Sequence, residues 1–387
     1  MSKNDKKSLS LHKKSRGKME IVSKVPLNNC DDLALAYTPG VAKVCMEIFK
    51  HPHLAKTYTI KGNSVAVVTD GSAVLGLGDI GPAASLPVME GKCILYKKFA
   101  NLDAFPICLA TQDTEKIIET IKLISPVFGA IHLEDISAPR CFEIEKRLQA
   151  ELNIPVLHDD QHSTAVVVLA GLINALKCSA PIHGLKEWPI NRHATTKIII
   201  NGAGAAGIGI ANLLLAYGFK KIIILDSKGS LYIDRPDLKG QKQKLAKMTG
   251  NKKSGSLADC LVDADIFIGV SKAGLLKANM VKSMNQKPII FALANPTPEI
   301  MPTEAKKAGA FIIATGRSDF PNQINNVLTY PGIFRGALDN NVKIITQKML
   351  IKAAENLANL VKYPSPQKLL PSLFDKKVVR AVAKAIR

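Results

Sequence analysis

Two pairs of adjacent acids, Glu134-Asp135 and Asp159-Asp160, each follow a short apolar run, at 130–133 and 155–157. Acids just beyond two buried strands can converge on one point. Oxygen donors without cysteine suit a hard cation such as Mg²⁺ or Mn²⁺. The same acids have a plainer use as helix caps, Asp135 for a helix starting near Ala138 and Asp160 for one starting at Ser163. Spacing leaves both readings open. His158 and His162 flank the second pair and are expected to pack or hydrogen-bond, since a hard cation needs neither.

A second chemical feature is Gly202-Ala203-Gly204-Ala205-Ala206-Gly207, a G-x-G-x-x-G run between an apolar strand and a helix. Gly202 permits a tight turn, Gly204 lets backbone approach a pyrophosphate, and Gly207 allows close helix–strand packing. The helix N-terminus at Ala205 and Ala206 offers free N–H groups and partial positive charge to phosphates. Asp226 ends the next strand, where an acid binds the ribose diol of NAD. Lys228 lies close by and suits the extra phosphate of NADP, so cofactor choice stays open.

The elements that must position these groups alternate in type. Strands are expected at 65–69, 105–110, 130–133 and 155–157, with amphipathic helices at 115–123 and 142–152 and an apolar helix at 163–177. A second unit follows, with strands at 197–200, 221–225, 265–270, 288–293 and 310–314 and a helix at 207–217. Alternation of this kind makes a parallel sheet covered on both faces. Ligands then bind beyond the carboxyl ends of the strands, here the loops 202–207, 269–274, 294–296 and 315–326. The expected fold class is α/β. The expected division is a smaller N-terminal α/β domain, 1–160, that holds the acid pairs, and a Rossmann-type parallel-sheet domain, 161–387, that holds the dinucleotide loop.

Composition bounds the function. The 387 residues are 47% hydrophobic and 22% charged, as in globular proteins, and the length suits two domains. A net charge of +20 with only 5% aromatics, and lysines spread along the chain, argues against a nucleic-acid surface and leaves room for steering of an anionic dicarboxylate. Seven scattered cysteines without a CxxC read as free thiols of a reducing compartment. The basic first residues lack the apolar stretch of a signal peptide. The apolar run at 198–219 is broken by Asn201, Gly202, Gly204, Gly207, Gly209 and Asn212, which suits a strand, a turn and a helix better than a membrane span. We expect a cytoplasmic protein with no nucleic-acid or membrane partner, acting on a small molecule.

Several segments together resemble the malic enzyme family in its short bacterial form. They are Tyr37-Thr38-Pro39-Gly40-Val41-Ala42, the run from Asp70 to Gly81, Pro87-Val88-Met89-Glu90-Gly91-Lys92, the stretch from Lys98-Phe99-Ala100 through Asp103-Ala104-Phe105-Pro106-Ile107, Glu134-Asp135-Ile136, His158-Asp159-Asp160-Gln161-His162, the glycine loop, Ala294-Asn295-Pro296-Thr297 and Asn325-Asn326. They run in order from about Arg16 to the C-terminus. The resemblance implies a homodimer that carries out oxidative decarboxylation of malate to pyruvate and CO₂ with NAD or NADP and Mg²⁺ or Mn²⁺. It implies Lys92 as the base for the C2 hydroxyl, Tyr37 as the acid at C3, and Asp159 as the neighbour that orients Lys92. Glu134, Asp135 and Asp160 would bind metal, and Asn295 and Asn326 would bind the substrate carboxylate, with Asn295 also near the cofactor. A lysine base needs burial or nearby positive charge to lower its pKa. Ala73 stands where larger members carry arginine, Ser163 stands where glycine is usual, and the 181–195 linker with Trp188 has no counterpart we can interpret. A malolactic conversion to lactate with retained NADH, in proteins that are usually longer, and a non-catalytic dinucleotide sensor are the alternatives.

Overall fold

The structure, a computed structural model, describes residues 3–74, 76–179 and 194–387. Most of the 181–195 linker, with Trp188, lies outside the described residues. Two parallel sheets organise the rest. The first contains β1 (Ser64–Thr69), β2 (Asp103–Cys108), β3 (Ala130–Leu133) and β4 (Val156–His158), in the order β2-β1-β3-β4. The second contains β5 (Lys197–Asn201), β6 (Lys221–Asp226), β7 (Gly229–Ser230), β8 (Ile266–Gly269), β9 (Ile289–Ala292) and β10 (Ile312–Thr315). Its order is β10-β9-β8-β5-β6-β7, parallel except for the short hairpin strand β7. All strands of the expected pattern form, with ends shifted by at most two residues. β1, β3, β8 and β9 are buried along their whole length, as strands covered on both faces must be.

The helix Asp159–Ser179 joins the two sheets. Valine, leucine and alanine surround its axis, and Val166, Val168, Leu169 and Leu172 are fully buried. By length and composition it could cross a bilayer, but 67% of its most apolar stretch is buried inside the fold. An all-round apolar helix of a folded core has this pattern. It packs against the helices Ala205–Tyr217 and Gln347–Ala358. One continuous core runs from Val65 and Tyr96 of the first unit through this helix to Ile198, Phe291 and Phe334. The expected division at 160/161 therefore falls inside a helix. The C-terminal helix Tyr330–Asp339 also returns to pack on Gly81–Ala100 of the first unit.

Gly209 permits the closest of these crossings. A Cβ at this position would fall onto the carbonyl of Gln161, so the dinucleotide helix and the helix carrying Asp159 and Asp160 touch backbone to backbone. Any side chain there would drive the two halves of the site apart.

Candidate active site

Parallel register brings the acids together. Leu133 of β3 lies opposite His158 of β4, so Glu134-Asp135 and Asp159-Asp160 leave the sheet side by side. The helix after β4 begins at Asp159, four residues earlier than expected, and Asp160 lies inside its first turn. Asp160 therefore cannot cap a helix starting at Ser163. Nor does Asp135 cap the helix that follows it, which starts at Arg140 with Pro139 at its N-cap. Asp135 leaves β3 in the left-handed region, φ 52°, and its carbonyl accepts a hydrogen bond from the Ala73 amide at 2.9 Å. Carboxylate oxygens of Glu134, Asp135 and Asp160 all lie within 4.8 Å of one another. Asp135 Oδ2 is buried with no hydrogen-bond partner among the described residues. Burial, then Glu134 and Asp160, hold the Asp135 carboxyl far above the usual carboxylate range; burial, then Glu134 and Asp159, do the same to Asp160. Three crowded acids with an orphaned buried oxygen fit a hard divalent cation.

A second trio, His132, Glu134 and Asp159, is equally close, but most of its atoms are already committed, Asp159 Oδ1 being the one without a partner among the described residues. His132 Nε2 pairs with Glu134 Oε2 at 2.5 Å, and His132 Nδ1 with the Tyr96 hydroxyl at 2.6 Å. Asp159 Oδ2 accepts from Lys92 Nζ at 2.6 Å and from Asn326 Nδ2 at 2.5 Å. Lys92, on the helix Gly81–Ala100, also reaches Glu134 Oε1 at 3.0 Å and lies 4.6 Å from the centroid of the Tyr330 ring. Burial by itself would lower the Lys92 pKa, as expected from sequence. Asp159 and Glu134 outweigh it and hold the amine well above its ordinary value. Burial alone therefore does not supply the lowering that a lysine base needs, which leaves the nearby positive charge that the sequence reading also named.

Neither histidine of the 158–162 segment joins the acids. His162 pairs with Glu145 at 2.9 Å. His158 is fully buried, both ring nitrogens lack a partner among the described residues, and burial lowers it to about 4, so it is neutral packing. Ser163, at the position where glycine is usual, is buried, and its carbonyl accepts from the Thr329 hydroxyl at 3.1 Å.

The second sheet adds the glycine loop. Asn201, Gly269, Ala292 and Thr315 stand in register across β5, β8, β9 and β10, so the four loops expected to bind ligand leave the sheet at one level. Gly202 has φ 129°, and a Cβ at Gly207 would overlap the Gly202 carbonyl oxygen. Gly204 faces open space. The helix begins at Ala205, with Gly204 at its N-cap. A cleft of 410 Å³ is lined by Asp135, Asp160, Ala205, Ala206, Asn295 and Asn326, with Gly204 and Ala73 at its walls. It joins the acid cluster to the glycine loop.

Asp226 does not stand free. Arg235 lies 2.9 Å away and Lys242 also 2.9 Å, while the Lys228 amine turns to Asp237 at 2.8 Å. The cations that pair with Asp226 are therefore Arg235 and Lys242, which sequence reading missed, and not the Lys228 amine. It also missed His132, Tyr96, Tyr330 and Glu145. Of these only His132 left a signal, two residues before Glu134 and so on the same side of β3. Tyr37 is not among the gathered residues. It caps the C-terminus of the helix Cys30–Ala36 and is 66% exposed.

Comparison with known proteins decides the family. Residues 16–149 match the model of the malic enzyme N-terminal domain, and 161–387 that of the malic enzyme NAD binding domain. The chain belongs to the malic enzyme family. This malic enzyme is 55% identical over 383 residues to the bifunctional malic/malolactic enzyme of Bacillus subtilis, covering 98% of this chain and 91% of the relative. It is 52% identical to the NAD-dependent malic enzyme of Geobacillus stearothermophilus, covering 96% and 76%. Its backbone superposes on the NAD-dependent malic enzyme of Thermotoga maritima with a TM-score of 0.91 at 47% identity, covering 98% of each chain. The NADP-dependent malic enzyme of Escherichia coli is 43% identical over 390 residues, covering 96% of this chain and 50% of that one. The malic enzyme described here is thus a nicotinamide-dependent enzyme with the α/β architecture expected.

Proposed function

We propose that this malic enzyme oxidises (S)-malate with NAD⁺ or NADP⁺ in a reaction that depends on Mg²⁺ or Mn²⁺ and releases CO₂ and pyruvate. The observation that carries the reading is the placement of Lys92, between Glu134 and Asp159, beside the acids that share one cleft with the glycine loop. Glu134, Asp135 and Asp160 would hold the cation. The glycine loop and the Ala205–Ala206 N–H groups would hold the pyrophosphate, and Asp226 the adenine ribose. A divalent cation, when bound, supplies positive charge near Lys92 and a Lewis acid toward the C2 oxygen, and the nicotinamide supplies the hydride acceptor.

The chain's own residues do the rest. Lys92 takes the C2 hydroxyl proton as the hydride leaves C2. Asp159, bonded to both Lys92 and Asn326, keeps the amine aimed into the cleft. Asn295 and Asn326 position the carboxylate that remains after CO₂ departs. Tyr37 then returns a proton to C3 of the enol without adding a charge that competes for the cation. All seven cysteines are free, which supports the cytoplasmic setting.

The test is initial rates at 340 nm with malate, Mn²⁺ and each cofactor in turn, with pyruvate quantified. Stoichiometric NAD(P)H and pyruvate are expected. One relative favours a second activity: the Bacillus subtilis protein is a bifunctional malic/malolactic enzyme, and this chain covers 91% of it. The length argument against a malolactic reaction therefore falls. Lactate formed from malate without net NADH would reveal that reaction.

A further inference from the structure

The strand order of the second sheet sets the direction in which a dinucleotide would cross it. Asp226, proposed for the adenine ribose, ends β6, and the glycine loop, proposed for the pyrophosphate, follows β5. β5 lies between β6 and β8, with β9 beyond. The nicotinamide half would therefore lie over the ends of β8 and β9, on the far side of β5 from Asp226. Val270 and Ser271 after β8, and Ala294 and Asn295 after β9, line the cleft there. Hydride transfer then depends on where these two loops stand.

Glu299 is bonded to both. It is fully buried. Its Oε1 accepts from the Ser271 amide at 3.0 Å and its Oε2 from the Ala294 amide at 3.0 Å. The backbone around it adds two more bonds to the β8 loop. The Pro298 carbonyl accepts from the Gly274 amide, and the Glu299 carbonyl from the Leu276 amide, both at 3.1 Å. Gly269, the last residue of β8, makes room for the carboxyl: a Cβ there would fall 2.3 Å from Glu299 Cδ.

No cation stands among the partners of this carboxylate within the described residues. Burial raises its pKa above the usual carboxylate value, and the N–H donors pull it back. A buried acid without a cation is a costly connector. Its use is geometric. Two N–H groups from separate loops converge on one side chain, and each needs an acceptor. A carboxylate offers two acceptor oxygens, whereas an amide of the same size offers one, plus an NH₂ that opposes the second N–H.

We propose that Glu299 is a positioning residue for the nicotinamide half of the cofactor: its carboxylate ties the Ser271 and Ala294 loops together and fixes the wall against which the ring and, through Asn295, the substrate carboxylate are set. It acts through the two loops and takes no part in proton or hydride transfer. This inference rests on the reading given above that puts the adenine ribose at Asp226.

Glu299→Gln tests it, since it keeps the size of the side chain and leaves one N–H facing an NH₂. Wild type and variant are titrated by calorimetry with NADH and with ADP-ribose, which carries the adenine ribose and the pyrophosphate but no nicotinamide. We expect NADH affinity to fall about tenfold, the scale of one lost hydrogen bond to a charged group, with ADP-ribose affinity unchanged. The kcat for malate should fall by roughly ten- to a hundredfold, as misplacement by about 1 Å does. The primary isotope effect with malate deuterated at C2 should rise as hydride transfer slows. Equal weakening of NADH and ADP-ribose would make Glu299 a general support of the fold and overturn the inference, as would wild-type NADH affinity and kcat. Should Glu299→Gln not fold, the same titrations are made on Glu299→Asp, which is one methylene too short to meet both amides. The same selective loss is expected, and wild-type binding overturns the inference. Asp226→Ala checks the reading beneath it: if that variant leaves ADP-ribose affinity intact, the direction assigned to the cofactor falls first, and the inference with it.

Discussion

At the ends of β3 and β4 four acids and Lys92 press against one another, whereas at the end of β5 the glycine loop offers backbone and no charged side chain. The two ends of one cleft thus solve opposite problems. The acid end concentrates charge in a buried place, where unpaired charge is costly, and Lys92 balances part of it, the rest falling to the cation proposed above. The glycine end has only to leave room: an open Gly204 for a phosphate, a bare Gly207 against Gly202. The lesson is that the first is sensitive to charge at nearly constant shape, and the second to shape at constant charge.

The largest expected effect is at the charged end. Lys92→Ala should reduce malate oxidation by ~10²–10⁴, the usual cost of a lost general base. Tyr37→Phe should depress overall turnover yet leave reduction of supplied oxaloacetate largely intact, because that partial reaction needs no proton at C3. Oxaloacetate-dependent NAD(P)H oxidation by both variants separates the roles, with circular dichroism as the folding control. If Tyr37→Phe loses oxaloacetate reduction as fully as Lys92→Ala, the division of labour between them is wrong.

Asp160→Asn keeps the shape of the acid end and removes one charge. We expect Mn²⁺ affinity to drop by at least the ~10–100-fold that outer-shell changes cause, with turnover partly restored at high Mn²⁺. Titration of Mn²⁺ against initial rate checks this, and an unchanged metal requirement would mean that Asp160 is not a ligand.

Gly207→Ala tests the other end, adding one methyl group and no charge. Overlap with the Gly202 carbonyl should cost about 1–3 kcal/mol, roughly ten- to a hundredfold in cofactor affinity. Mn²⁺ binding should be untouched, which fluorescence titration with NADH beside the metal titration will show. Loss of both together would mean that the two ends are not separable.

The smallest effect is expected at Asp226, where the glycine unit does use charge. Asp226→Ala removes an acceptor for the ribose diol, about 1.5 kcal/mol or roughly tenfold in NAD affinity. It also releases Arg235 and Lys242, so NADP should bind as well as before or better. Equal weakening for both cofactors would reduce Asp226 to an anchor for those two cations.

The parts legible from sequence were those decided within a few residues. The strands of both sheets, the glycine loop and its following helix follow from runs of β-branched and apolar residues, and from steric space that only neighbouring atoms contest. The acid pairs could be seen, but not their use, because metal and capping readings differ only in what stands opposite. The register of Leu133 with His158 decided that. Tertiary structure alone also started a helix at Asp159, set Arg235 and Lys242 on Asp226, placed His132 behind Glu134, and kept the charge on Lys92. It likewise left the helices on either side of Tyr37 without a buried residue, although sequence resemblance had grouped Tyr37 with Lys92. The reason is common to all of them. A charge takes its energy from groups that lie close in space, and here those groups are up to hundreds of residues apart in the chain.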